Sequence, residues 1–219
     1  MRPVFVTGGT GYLGRPLIEA LVAKGFEVHA LARSGSERKL PVEVRAVTGD
    51  ALDAASFAEN IPAGAAIVHL VGTPHPSPAK AEEFRRVDLA SIRATTKAAI
   101  VARASHIVYV SVAHPAPMMK AYIAVRVEGE HLIAATGIPA TILRPWYVLG
   151  PGHRWPYALI PFYALFRALP ATREGARRLG LVTRNDMVAA LVRSVLSPPT
   201  GGVRVVEVPE IERSSRIAA

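Results

Sequence analysis

A doubly wound parallel sheet with helices on both faces is the fold class that this sequence predicts, and three observations point to it. Short β-branched runs alternate with longer helical patterns in the first half of the chain, at the spacing of right-handed strand–helix–strand units. The run Ala66-Ile67-Val68-His69-Leu70-Val71 is almost continuously apolar, as a strand covered on both faces should be. The first strand ends in closely spaced glycines that open onto a helical pattern.

Strands are expected over 3–7, 27–33, 42–48, 66–71, 106–111 and 140–144. Helical spacing links Leu13, Leu17 and Leu21 in one segment and Val87, Ile92, Thr96 and Ile100 in another. After Arg144-Pro145 the texture changes, with a Gly150-Pro151-Gly152 loop, an apolar stretch over 157–169 interrupted by Pro161, and an arginine-rich connector over 173–178. Residues 151–182 are expected to form a small segment covering the carboxyl ends of the strands. The apolar stretch within it reads as lid or core ahead of a dimer face or membrane contact. Asn185 reads as the cap of a helix over 186–196 with Met187, Leu191, Val192 and Val195 on one side. A last strand follows over 203–208, then a loose tail. The whole, 1–219, reads as a single domain of about six or seven strands.

Composition narrows the function classes. With 219 residues, half of them hydrophobic, the chain can bury one sizeable core. Lysine and arginine outnumber aspartate and glutamate by 26 to 17, a formal charge of +9. The basic residues are mostly arginines scattered along the chain, with no basic tail or finger spacing, so pockets for anionic ligands are expected rather than nucleic-acid binding. The absence of cysteine excludes disulfides, thiol catalysis and zinc–thiolate sites, and the seven histidines show no metal-ligand spacing. No apolar run reaches the roughly 18 residues of a membrane span, and the N-terminus reads as a strand rather than an export signal. A cytoplasmic protein without membrane partners, monomeric or homodimeric, is the expectation.

The junction Thr7-Gly8-Gly9-Thr10-Gly11-Tyr12-Leu13-Gly14 carries the most specific chemistry. Gly8 permits the tight turn, Gly11 lets the backbone approach a pyrophosphate, and Gly14 allows close helix–strand packing. The helix start then offers N–H groups and a positive dipole end to phosphates. This turn lacks the Gly-Lys-Ser/Thr ending of a triphosphatase loop, so a dinucleotide is the expected ligand. NAD binders usually place an acid at the end of the second strand, whereas this chain has Arg33-Ser34 there. A guanidinium grips a 2′-phosphate that an acid would repel, so NADP(H) is preferred, with NAD(H) still allowed. Arg38 and Lys39 stand close enough in sequence to assist.

With these residues in place, the chain resembles the extended and atypical short-chain dehydrogenase/reductases, the NAD-dependent epimerase/dehydratase-like Rossmann group. Residues 7–14 are similar to that family's Thr-Gly-x-x-Gly-x-x-Gly. The resemblance implies that Asp50, with Ala51, meets the adenine and that Leu70, Val71 and Gly72 lie beside the adenosine ribose. It implies that Ser111 is the active-site hydroxyl after the fifth strand and that Pro145 and Trp146 flank the nicotinamide. The family's Tyr-x-x-x-Lys appears as Tyr122-Ile123-Ala124-Val125-Arg126, followed by Glu128 and Glu130.

Spacing of four puts Tyr122 and Arg126 on one helix face. A phenol titrates near pH 10, so a proton shuttle at neutral pH needs a nearby cation. Arg126 supplies charge but cannot release a proton. In the catalytic reading Tyr122 is the general acid/base, Ser111 bonds a substrate carbonyl, and Arg126 holds the nicotinamide ribose and polarises Tyr122. The implied function is an NADP(H)-dependent oxidoreductase acting on a small carbonyl or alcohol. The alternative is a non-catalytic cofactor-binding regulatory or assembly protein, similar to negative transcriptional regulator-like members or the respiratory complex I accessory subunit. A sugar-nucleotide epimerase is disfavoured by the near absence of a substrate domain. His75 and His114 follow the fourth and fifth strands and read as surface-loop residues.

Overall fold

The computed structural model describes residues 3–151 and 173–217 of the chain. The strands run β1 (Val4–Thr7), β2 (Val28–Ala32), β3 (Arg45–Thr48), β4 (Ala66–His69), β5 (His106–Val110) and β6 (Ala140–Arg144), then β7 (Tyr147–Leu149), β8 (Leu181–Thr183) and β9 (Val203–Glu207). Seven of them form one sheet in the order β3-β2-β1-β4-β5-β6-β9, and every pairing in it is parallel. Strands β7 and β8 pair with each other as a separate parallel ribbon.

The apolar strands are buried on both faces because helices cover both. Val4 and Val6 point to one side, where α1 (Gly14–Ala23) contributes Leu17, Ile18 and Leu21. Phe5 points to the other, into a cluster with Phe57, Phe84, Ile92 and Ile133. That second face is built by α2 (Ala81–Glu83), a π-helical stretch Phe84–Leu89, α3 (Ala90–Val101) and α4 (Lys120–Ala135). The remaining helices are α5 (Arg173–Arg178), α6 (Arg184–Leu196) and α7 (Val208–Ile217). Met187 and Leu191 of α6, which packs on α1, and Val208 and Ile211 of α7, which packs on α6, are all fully buried in one core cluster.

The doubly wound parallel sheet expected from the sequence is present, and the departures are local. The third strand begins at Arg45, and Val42 stands in solvent. Ile100, part of the helical spacing, is exposed at the end of α3. Helix α6 is capped by Thr183 rather than Asn185: the Thr183 hydroxyl accepts from the Asp186 N–H at 3.1 Å, and the Asp186 carboxylate accepts from the Thr183 N–H at 2.9 Å. The expected loose tail is α7. Of the anticipated covering segment 151–182, residues 173–178 form α5 and 181–183 form β8, an unexpected strand seated beside β7. Residues 152–172, including the apolar stretch 157–169, lie outside the described residues.

Candidate functional site

Strand order reverses between β1 and β4, so the ligand crevice of such a sheet opens at the carboxyl ends of these two strands. Gly8 stands there at φ +75°, and a Cβ on it would lie 2.9 Å from the Leu70 carbonyl carbon. At Gly14 a Cβ would come within 2.2 Å of the Gly8 carbonyl oxygen, so neither glycine tolerates a side chain. The Gly11 N–H closes the turn onto the Gly8 oxygen at 3.0 Å. Leu13 packs against the core at the head of α1 without a side-chain cap, leaving that helix end for a ligand.

Beside the turn lies a hollow of about 380 Å³. Gly8, Thr10 and Gly11 line it together with Asp50, Ala51, Leu70, Val71 and Gly72. Arg33 reaches it from the tip of β2, joined by Ser36, whereas Ser34 is exposed and does not line it. Ser36, four residues past the end of β2, sits in a loop whose sequence carries no distinguishing pattern. Asp50 is partly engaged locally, its carboxylate accepting from the Leu52 N–H at 3.0 Å.

A second hollow, of about 480 Å³, holds Tyr12, Ser111, Tyr122, Pro145 and Trp146, with Tyr147 and Val148. The two hollows adjoin at residues 10–12 and 74–76. His75 is exposed in the loop after β4, as its reading as a surface-loop residue implies, and from there it also lines the second hollow. Tyr122 projects from α4 with its ring tilted on Phe84, centroids 4.9 Å apart. Gly150 makes room for Tyr12: a Cβ there would lie 2.1 Å from the Tyr12 hydroxyl.

Arg126 lies beneath this hollow rather than in it. Its guanidinium sits 5.0 Å from the centre of the Tyr122 ring and 5.7 Å from that of Tyr109. Nη2 donates to Asp88 Oδ1 at 2.6 Å, and Nη1 donates to the Val110 carbonyl at 2.9 Å. The other Asp88 oxygen accepts from the Thr73 N–H at 3.0 Å and hydroxyl at 2.6 Å. Burial alone would lower the Arg126 pKa, but Tyr122, Tyr109 and Asp88 around it hold it above the ordinary arginine value. Gly72 has a second duty here, since a Cβ on it would lie 2.3 Å from Arg126 Nη2. In this structure Arg126 spends one of its donors on the ion pair with Asp88. Its place beside Tyr122 is as the helical spacing implies.

Ser111 and Glu130 form a second buried group. Ser111 Oγ donates to Glu130 Oε1 at 2.5 Å. Arg144 donates Nε to the same oxygen at 3.0 Å and pairs Nη2 with Oε2. Hydrogen bonds from Arg144 to Glu130, and further to Glu207 at 3.2 Å, raise the Arg144 pKa despite its partial burial. Sequence reasoning gave Glu130 no role, although it follows Arg126 by four residues, as Arg126 follows Tyr122, and that spacing could have been the signal for it. Asp88 had none.

His69 braces the crevice floor. Its Nδ1 lies 2.9 Å from the Thr7 and Thr95 hydroxyls, and its Nε2 lies 3.3 Å from that of Ser91. Burial first, and then the charge of Arg126, lowers its pKa to about 3, so the ring is neutral at pH 7.

A family model described as NAD(P)H-binding matches residues 8–160. The ceramide reductase of Caulobacter vibrioides is 31% identical over 216 residues, spanning 96% of this chain and 65% of that protein. A 4-hydroxy-2-methyl-3-oxo-4-farnesyl-3,4-dihydroquinoline-1-oxide ketoreductase of Stigmatella aurantiaca is 28% identical over 168 residues, 67% of this chain and 50% of that protein. The chain thus spans between one half and two thirds of the length of these two relatives. Among solved structures, the Bordetella bronchiseptica enzyme WbmH in complex with NAD+ aligns with a TM-score of 0.69 at 20% identity, covering 94% of this chain and 75% of that one. That likeness shows the Rossmann fold.

Proposed function

Because the chain belongs to the NAD(P)H-binding family, we propose that it is a reductase that takes NADP(H) in preference to NAD(H) and acts on a small carbonyl substrate. The observation that carries this reading is that Tyr122 and Ser111 line one hollow with Pro145 and Trp146, adjoining the glycine-turn hollow. Two relatives named for reductions support it. The cradle around Gly8 and Gly14, where a Cβ would collide with backbone, fits a pyrophosphate at the head of α1. Arg33 would hold the 2′-phosphate, Asp50 and Ala51 the adenine, Leu70 to Gly72 the ribose, and Pro145 and Trp146 the nicotinamide end. When bound, the nicotinamide supplies hydride. Tyr122 gives its hydroxyl proton to the carbonyl oxygen as the carbon is reduced, and Arg126 stabilises the phenolate left behind.

NADPH oxidation with a panel of aldehydes, ketones and quinones tests this reading, wild type against Tyr122→Phe. The variant should lose on the order of a hundredfold or more in kcat with NADPH affinity unchanged. Tight NADPH binding without turnover of any member would replace this reading with a second one, a cofactor-binding regulatory or assembly protein. The engagement of Arg126 with Asp88, away from the crevice, favours that second reading.

A further inference from the structure

We propose that Glu130 is a positioning residue that makes Ser111 a hydrogen-bond acceptor toward the second hollow, so that the substrate carries a hydroxyl group beside its carbonyl. The proposal rests on the reductase reading and adds a substrate class to it. A serine hydroxyl has one proton to donate and lone pairs to accept with. Glu130, as a carboxylate, has none to give, so the Ser111 proton must lie on the 2.5 Å line between the two side chains. Both residues are buried, at 3% and 6% exposure, and the low-dielectric surroundings strengthen that bond.

Nothing nearby frees it. Arg144 holds both Glu130 oxygens, and Glu207 anchors Arg144 in turn at 3.2 Å. Swinging the carboxylate away from Ser111 would break charge-assisted bonds linking α4, β6 and β9. His114 Nε2, at 4.0 Å from Glu130 Oε1, is beyond hydrogen-bond reach. Ser111 therefore presents lone pairs to the hollow. A carbonyl oxygen facing it finds no donor, while a hydroxyl finds an acceptor. Tyr122, on the same hollow, is left to donate to the reacting oxygen. The chemical balance is that of the reduction itself: hydride adds to the carbonyl carbon, the Tyr122 proton adds to its oxygen, and Ser111 exchanges no proton.

Neutron diffraction from deuterated crystals of the wild-type protein reads the hydroxyl direction without any substrate. Density for the Ser111 deuteron between Oγ and Glu130 supports the proposal, and density turned into the hollow overturns it. Turnover then tests the substrate class, with hydroxyacetone and acetone compared under NADPH in wild type, Ser111→Ala and Glu130→Gln. Wild type should favour hydroxyacetone in kcat/KM by about tenfold or more, the worth of one good hydrogen bond, and Ser111→Ala should erase that preference. Glu130→Gln, whose amide can donate to Ser111 and release its proton, should shift preference toward acetone. Equal losses for both ketones in Ser111→Ala would mean that Ser111 donates to the reacting carbonyl, and the proposal would fail. Unchanged NADPH affinity in each variant separates these outcomes from misfolding. A wild type that turns over no carbonyl fails the reductase reading, and the neutron map still decides the direction of the bond.

Discussion

A guanidinium carried into the interior by α4 needs a counter-charge, and Asp88 supplies it at 2.6 Å. Removing one partner leaves the other buried and uncompensated, so Asp88→Ala should destabilise the protein by about 3–5 kcal/mol in urea unfolding. Replacing both, as Asp88→Leu with Arg126→Met, should cost less than the single change, because no lone charge remains. A loss below 1 kcal/mol in Asp88→Ala would show that water reaches Arg126. Buried histidines give the fold a pH dependence of definite sign. His69 is held to about 3 by burial and Arg126, and His106 to about 4 by burial and Arg204, below the roughly 6.5 of an unfolded chain. Protons then bind the unfolded state first, so stability is full above about pH 6.5 and falls as pH drops toward those folded values. From pH 7 to 5, His69 alone should remove about 2 kcal/mol of stability in urea titrations, and His69→Gln should flatten that slope. Legibility divides at this scale. Tyr122 and Arg126 were visible because a spacing of four is a local pattern, and Glu130 stood one further step of four along without being given a role, whereas Asp88 meets Arg126 only through a π-helical stretch that nothing in Val87-Asp88-Leu89 announces.

The glycine turn was fully legible for the same reason: strand, turn and helix start lie within a dozen consecutive residues. Helix α7 was not. Its sequence is dominated by charged and hydroxyl residues, and its apolar contribution near the start is Val208 and Ile211, three apart and too sparse to show a periodic face. Packing against α6 decides its structure, since both side chains are fully buried. Pro209 sits in the first turn, where a missing N–H breaks no helical bond. Ending the chain after residue 207 should therefore cost about 3–6 kcal/mol, the transfer energy of two such side chains, measured by urea or thermal unfolding. A truncated chain as stable as the full one would return this segment to the status of a tail. Strands β7 and β8, three residues each, escaped notice because they are shorter than any pattern that alternation can establish.

The seven-stranded sheet, the crevice at its reversal and the excess of positive charge belong to the whole molecule, and they bear together on cofactor choice. NADPH carries a 2′-phosphate that NADH lacks, so under the proposed function a chain of formal charge +9 would attract it more strongly, with Arg33, which lines the first hollow, as the expected point of contact. A ligand that binds only the folded state stabilises it by RT ln(1 + L/Kd), where L is its free concentration, about 2.7 kcal/mol when L is a hundred times Kd. For a domain of this size that corresponds to a rise of roughly 5–10 °C in Tm. NADPH should therefore raise Tm more than NADH at equal concentration, and the difference should shrink as salt is raised from about 0.05 to 0.5 M, because part of it is screened. Arg33→Ala should weaken NADPH about tenfold or more and leave NADH within about twofold, since a charge-assisted contact is lost in one complex and is absent from the other. Equal losses would mean that Arg33 touches neither phosphate and that the preference comes from the general field; an advantage for NADH in the unaltered protein would remove the preference itself.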